Sequence, residues 1–365
     1  MPVYTFTTFD DPSGFITGTA TTLALGVNDT NQIVGQYQDA GAAIHGFLLS
    51  GGTYTTLDDP LATAGTAASG INDAGQIVGG YQSTGRNHGF LLSGGTYTTI
   101  DDPSATIGTT AQGINSAGEI VGTYNDASGV HGFLRTTGPI FTSYTTLDDP
   151  SATLGTFAQG INNSGQIVGW YRDSHGNPHG FLRNPNGTYT TLDDPLGTST
   201  TIYGINDAGQ IVGTYTANQV THAFIYSGGF FTTIDDPAAG ASSATFATGI
   251  NNSGQIVGYY SNASGSHGFL LNISPNPPPP GGTTADMILR GANSSPAAMG
   301  QYEIYDIGNN AILAGYSLGQ VGTDWRFAGL GGFFGNDTTD MLLRSASTGG
   351  FEVYDISNNN ITNAA

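Results

Sequence analysis

The sequence predicts an all-β fold: a six-bladed β-propeller closed by its own N-terminal strand, with a small β-rich repeat segment after it. Three observations predict this. An eleven-residue phrase recurs six times, as VNDTNQIVGQY, INDAGQIVGGY, INSAGEIVGTY, INNSGQIVGWY, INDAGQIVGTY and INNSGQIVGYY. Each repeat but the last carries four strand-like runs, and none has helical apolar spacing. The last repeat lacks its fourth run, and the chain begins with one.

The repeat is longer than the phrase. Gly-Ile/Val-Asn begins at Gly26, Gly70, Gly113, Gly160, Gly204 and Gly249, with spacings of 44, 43, 47, 44 and 45 residues. A period of that size signals a solenoid, a propeller or an array. In the third copy the runs are TTAQGIN, EIVGTY, HGFLR and SYTTLD, separated by Asn-Ser-Ala-Gly, a variable polar loop and a glycine-containing turn. Four short antiparallel strands per unit make a propeller blade. The sixth unit passes from HGFLLN into SPNPPPPGG without a TYTTLDDP segment, and YTFTTFDDP at residues 4–12 supplies it. A ring explains that pairing and leaves no open edge, whereas a solenoid would carry distinct capping repeats. Closure orders the strands. If the N-terminal strand is outermost, TAASGIN and its equivalents are innermost, QIVGxY is second and HGF third. Small Ala, Ser, Thr and Gly suit the crowded centre, and Thr and Tyr suit half-exposed outer strands.

Composition narrows the function classes. The chain has 365 residues, 57 of them glycine; it is 38% hydrophobic and 9% charged, the balance of a β-rich globular protein rather than a disordered one. Its basic residues are arginines only, against 27 acids, for a net charge of −20. Without a basic stripe, phosphate-backbone binding has no electrostatic source, so no nucleic-acid partner is expected and anionic membrane surfaces are poor candidates. The absence of cysteine excludes disulfides and thiolate metal sites. No apolar run reaches membrane-spanning length, so no membrane insertion is expected, and MPVYTFTTFD lacks the basic start and apolar core of a signal peptide.

Two resemblances follow. The HGF of five units, His222-Ala223-Phe224 in the other, and the phrase GINxxGQIVGxY resemble the HAF family of extracellular repeats over residues 4–273. That resemblance implies an extracellular or cell-surface location in a bacterium, and it supplies no catalytic residues. Beyond a Pro/Gly linker, ADMILR at 285–290 matches TDMLLR at 339–344, and YEIYDIGNNAI at 302–312 matches FEVYDISNNNI at 351–361. These units resemble FG-GAP or VCBS-type repeats. The expected domains are a propeller at 1–273, a linker at 274–284 and incomplete β repeats at 285–365. In the FG-GAP family a loop of the form D-x-N-x-D-G-x-x-D often holds calcium. Here the aligned positions are Gly332, Phe334, Asn336, Asp337 and Asp340, short of two oxygen ligands and the turn glycine.

Asp-Asp-Pro recurs at Asp10, Asp58, Asp101, Asp148, Asp193 and Asp235. As a turn, the Asp bonds its own backbone while Pro presets φ and ends the strand. As a metal site, the pairs Asp58 and Asp59, Asp101 and Asp102, Asp148 and Asp149, Asp193 and Asp194, and Asp235 and Asp236 offer carboxylates to Ca²⁺. Two adjacent carboxylates are few ligands for calcium, so the turn is favoured and no cofactor is required. The repeated histidines, His45, His88, His131, His179, His222 and His267, are spread around the ring rather than converging on one ion. Each is expected to bond a backbone group or an Asp of its own blade.

Features shared by all blades build the ring, so a specific function should lie where blades differ. The loop between second and third strands varies most, and the fourth copy carries Arg172, Asp173 and His175 just after Trp170. An aromatic beside those polar groups makes a candidate ligand-binding patch for a sugar or small molecule. The plain alternative is a solvated loop with Trp170 packed between blades. Glu119 is the only glutamate of the ring, and no G-x-S-x-G, H-E-x-x-H or phosphate loop is present. The expected function is therefore non-enzymatic: binding, adhesion or structure outside the cell, with a polysaccharide or protein partner. The alternative is a glycosidase-like propeller hydrolase. Convergent acids in the central channel would favour the hydrolase, and a face with an aromatic patch would favour the binder.

Overall fold

Each repeated phrase folds as the first hairpin of a blade because its Asn closes the turn on itself. Asn72 Oδ1 accepts the Gln76 amide at 3.0 Å, and Gly75 turns the chain at a φ of 72°. In the first copy Asn31 takes the glycine position at a φ of 60°, which asparagine tolerates better than most residues.

The computed structural model describes residues 3–16, 19–138, 141–240, 243–274, 285–290, 301–308, 311–320, 325–331, 340–345, 351–357 and 360–364. The strands between Val3 and Ser274 form four-stranded antiparallel meanders, numbered here as blades 1 to 6. Blade 4 is typical: Thr156–Ile161, Ile167–Arg172, Pro178–Arg183 and Tyr189–Thr191, from the inside outward. In blade 6 the inner three strands are Thr245–Ile250, Ile256–Asn262 and Gly265–Ser274, and the fourth is Val3–Phe9 from the other end of the chain. The chain is thus an all-β propeller, and its N-terminal strand closes the last blade.

The centre confirms the closure. The innermost strands touch in a cycle, with Thr245–Ile250 against Leu23–Val27 completing it. Around the axis a Cβ built on Gly26, Gly70, Gly113, Gly160, Gly204 or Gly249 would sit 3.1–3.3 Å from the Cα of the next glycine in the ring. Only a residue without a side chain allows backbones to approach that closely, which accounts for the invariant Gly before Ile/Val-Asn within this chain. One residue before each of these glycines the inner strand shifts register, a bulge that re-aims Leu25, Ser69, Gln112, Gln159, Tyr203 and Thr248 toward the channel mouth.

Below the glycines a second ring forms. Asn28, Asn72, Asn115, Asn162, Asn206 and Asn251 each donate Nδ2 to the backbone carbonyl of the next Asn at 3.0–3.2 Å, and Asn251 returns to Asn28. All six are buried. The core between blades is built on the third-strand phenylalanines Phe47, Phe90, Phe133, Phe181, Phe224 and Phe269, each with no exposed surface. Burying such a ring contributes roughly 1.5–3 kcal/mol. The inner strand and the ring together explain the Gly of Ile-Val-Gly: a Cβ on Gly35 or Gly79 would sit 2.0 Å from the carbonyl oxygen of Leu23 or Ala67 and 2.8 Å from Phe47 or Phe90.

Residues from Ser274 onward, together with Met1–Val3, cluster as a unit apart from Tyr4–Ile273. That unit holds a three-stranded sheet, Ala285–Arg290, Gln301–Gly308 and Ala311–Gln320, and a four-stranded sheet, Trp325–Gly331, Asp340–Ser345, Phe351–Ser357 and Asn360–Ala364. The matching segments ADMILR and DMLLR occupy equivalent strands, each paired antiparallel with its YEIYDI or FEVYDI partner. Of the loop aligned to a calcium motif, Gly332, Phe334, Asn336 and Asp337 lie outside the described residues, as does most of the Pro/Gly linker.

Candidate functional site

The Asp-Asp-Pro segments all lie where an outer strand turns toward the next inner strand, so they ring one face together with the variable loops. Their two carboxylates do different work. The first Asp of each pair accepts from Nδ1 of the histidine of its own blade, at 3.0 Å for His45 and Asp58, 2.8 Å for His88 and Asp101, 3.0 Å for His131 and Asp148, 2.7 Å for His179 and Asp193, and 2.6 Å for His222 and Asp235. His267 of blade 6 finds Asp10 across the closure at 2.9 Å. Each imidazole also stacks on the tyrosine of the second strand, with centroids 5.0–5.2 Å apart. The histidines bond an Asp, as their spacing around the ring suggests.

The second Asp is buried and caps the turn. Asp59 Oδ1 accepts the Leu61 amide at 2.8 Å, and its own amide donates to Thr66 Oγ1 of the next blade at 3.0 Å. Asp102, Asp149, Asp194 and Asp236 repeat the arrangement with Thr109, Thr156, Thr200 and Thr245. Each Asp-Asp-Pro is therefore a clip between consecutive blades. Among the described residues no three His, Asp or Glu side chains are grouped to hold a metal ion. One oxygen each of Asp10, Asp59, Asp101, Asp194 and Asp236 is buried without a hydrogen-bond partner among the described residues.

In blades 1, 3 and 4 the imidazole lies between two carboxylates, and in blade 3 His131 Nε2 is 3.4 Å from Asp126, opposite Asp148. His45 Nε2 is 3.4 Å from Asp39 and His179 Nε2 is 3.6 Å from Asp173, opposite their Asp58 and Asp193 partners. Burial by itself would lower the His45 pKa, but bonds to Asp58 and Asp39 raise it above 6.5. For His179 the Asp193 bond is the largest influence, and the result is again upward. A pKa raised on folding stabilises the protein below the unfolded value, and the gain is lost as pH climbs through the folded value. Replacing His45 and His179 by Gln should therefore cost more thermal stability at about pH 6 than at about pH 9. Melting curves of the double variant and the wild type at the two pH values check this; an equal cost at both would show that the pairs carry no proton-linked stability.

The central channel holds few ionisable groups. A cavity of about 260 Å³ is lined on its open side by Leu25, Ser69, Gln112, Gln159, Tyr203 and Thr248, none of them a carboxylate. Acids appear only at the far rim, where Asp29, Asp73 and Asp207 accept backbone amides of Asn252, Asp29 and Asn163 from neighbouring blades at 2.7–2.9 Å. They stitch the rim together.

Blade 4 divides the patch suggested by its sequence into two parts. Trp170 is half-buried and stacks on Phe157 of the inner strand, with centroids 3.8 Å apart and planes 6° from parallel. The Arg172 guanidinium lies 5.7 Å from the Phe157 centroid and 5.4 Å from that of Trp170. Near-equal distances to two stacked rings place it beside the stack, not on top of it. Asp173 instead organises its own loop: Oδ1 accepts the His175 and Asn177 amides at 2.8 and 2.9 Å, and Oδ2 accepts Asn177 Nδ2 at 3.1 Å. Desolvation would raise the Asp173 pKa, yet those amide donors outweigh it and hold the carboxyl well below its ordinary value. His175 is 81% exposed and touches only its loop neighbours. Phe157 was not singled out by the variable loop; the signal for it is an inner-strand position that reads Leu23, Ala67, Thr110, Phe157, Thr201 and Phe246 around the ring.

No family model matches the chain and no curated protein does, so the likeness to HAF and FG-GAP repeats rests on the sequence motifs. Among solved structures, the Aleuria aurantia lectin in complex with Fucα1-6GlcNAc is 13% identical with a TM-score of 0.47, covering 74% of this chain and 100% of that one. TolB from Acinetobacter baumannii is 14% identical at a TM-score of 0.47, over 66% of this chain and 63% of its own. AofleA from Arthrobotrys oligospora is 13% identical at 0.46, over 72% and 84%. The propeller assignment itself stands on the strand pairing and ring closure of this chain. Among the described residues no helix is long and apolar enough to cross a membrane.

Proposed function

We propose that this protein is a non-catalytic glycan binder of the cell exterior, recognising a polysaccharide through the face that carries the variable loops. The observation that carries the reading is the Phe157–Trp170 stack with Arg172 beside it, which no other blade reproduces in full. An aromatic surface packs against the apolar face of a sugar ring while a guanidinium donates to its hydroxyls. The cell-exterior assignment draws on the HAF-like motifs and on a lysine-free, strongly acidic composition. A hydrolase at the channel is less well supported, because the carboxylates nearest the axis are engaged in bonds between blades and the open side of the channel carries none.

Arg172→Ala is the direct test. The side chain is exposed, so the change should alter stability by no more than about 0.5 kcal/mol. Retention on a glycan array should fall several-fold, while Asn125→Ala at the equivalent position of blade 3 should leave it unchanged. Equal retention by Arg172→Ala and the wild type would remove blade 4 as the site.

A further inference from the structure

A second place on the same face breaks the symmetry by omission. In each blade one residue of the inner strand faces one of the second strand, and these cross-strand pairs read Leu23 and Gln36, Ala67 and Gly80, Thr110 and Thr123, Phe157 and Trp170, Thr201 and Thr214, and Phe246 and Tyr259. Blades 4 and 6 fill the position with stacked rings. Blade 2 has the two smallest residues, and there a cavity of about 380 Å³ opens over Ala67 and Gly80. A neighbouring cavity of about 360 Å³ opens between blades 6 and 1. The two share Gln36 and Ile44 as lining residues, so they form one groove with a common partition.

The lining states what would fit. Among the described residues no arginine, histidine, aspartate or glutamate contributes to either cavity. The polar groups are amides and hydroxyls, and among the described residues the side-chain amides of Gln36 and Gln112 make no hydrogen bond to the protein, although both are half-buried. Leu25 and Ile44 supply apolar surface beside them, Ile44 being 37% exposed. An ionic ligand would be desolvated there without a counter-charge. A purely apolar one would strand the amides. A neutral sugar satisfies both conditions, since each amide offers a donor and an acceptor, as a ring hydroxyl does, and a pyranose has an apolar face. Each cavity is also within the size range of small-ligand sites.

We propose that this groove over blades 1 and 2 binds two consecutive units of a neutral oligosaccharide, one in each cavity, with Gln36 hydrogen-bonded between them. The proposal rests on the reading of this face as a glycan-binding surface, and it places a second site away from the blade 4 stack.

The test copies blade 4 into blade 2. Ala67→Phe with Gly80→Trp reproduces the Phe157 and Trp170 pair, and the next blade presents Thr110 there as blade 5 presents Thr201, so the filled position already exists in this chain. Lactose and chitobiose, with galactose, N-acetylglucosamine and glucuronic acid, serve as probes by saturation-transfer NMR and calorimetry on the full chain. At least one neutral disaccharide should bind about tenfold more tightly than its monosaccharide unit, with glucuronic acid weaker still. The filled variant should lose that binding, and Gln36→Ala, which leaves the backbone undisturbed, should weaken it about tenfold. Disaccharide binding that survives both changes but is lost in Arg172→Ala would overturn the groove and leave the blade 4 site standing. Loss in the filled variant and in Gln36→Ala, with Arg172→Ala still binding, would establish the groove as a site separate from blade 4. If no probe binds the wild type, both fail.

Discussion

Removal of residues 1–12 is expected to convert the protein into an aggregating species with a melting temperature many degrees lower. The deletion takes away a whole strand and the links it makes. Phe6 packs edge-on against Phe269 at 5.4 Å, Thr8 Oγ1 lies 3.2 Å from Tyr260 OH, and Asp10 accepts from His267. Asp11 then donates its amide to Thr22 Oγ1 at 2.9 Å, the clip that fastens blade 6 to blade 1. Without them the strand Gly265–Ser274 presents an unpaired edge beyond Ser266, whose pairing with Thr21 remains, and an exposed edge recruits other chains. Phe269, now fully buried, would be uncovered on one side, and losing packing of that kind costs about 3–5 kcal/mol before the strand's hydrogen bonds are counted. Light scattering and thermal melts of the truncated protein check the expectation. A monodisperse protein with an unchanged melting temperature would mean that blade 6 does not depend on the N-terminal strand.

The shared parts of the structure were legible in the sequence because repetition repeats the physical constraint. Six glycines at spacings of 43 to 47 residues mark one close backbone approach around an axis, and the misplaced TTFDDP segment marks the closure. The pairing of histidine with Asp was legible in kind, since six histidines could not converge on one ion. The Asn ring was not. Asn28 to Asn251 look like ordinary turn residues in sequence, and nothing in the spacing shows that Nδ2 reaches the carbonyl of the next blade. The functional surface was legible only in part, for a different reason. Variable loops draw attention to added residues such as Arg172 and His175, but Phe157 lies on a strand and the groove over blade 2 is made by side chains that are missing. Asp173, conspicuous beside Arg172, is consumed by its loop, a role visible only once the amides of His175 and Asn177 are placed.

The Asn ring gives the sharpest electrostatic test, because Asn and Asp have nearly the same shape. Asn162 Nδ2 donates to the Asn206 carbonyl at 3.1 Å and to Gln166 Oε1 at 2.9 Å, while its Oδ1 accepts the Gln166 amide at 3.0 Å. The residue is 3% exposed. In Asn162→Asp the accepting oxygen keeps its partners, but the donor becomes a second oxygen facing two acceptors. At neutral pH the variant would hold a buried charge with no counter-ion, at a cost of about 3–5 kcal/mol. Folding would raise the pKa of that carboxyl, since its charged form is repelled and desolvated. The penalty should therefore shrink as pH falls through the raised value, when the protonated acid can donate to one of the two acceptors again. Chemical denaturation of the variant and the wild type at about pH 5 and about pH 8 measures the difference. A penalty that stays constant between them would mean that water or a shifted backbone solvates the new carboxylate, and the six bonds around the axis would then be ornaments of the ring rather than part of what holds it closed.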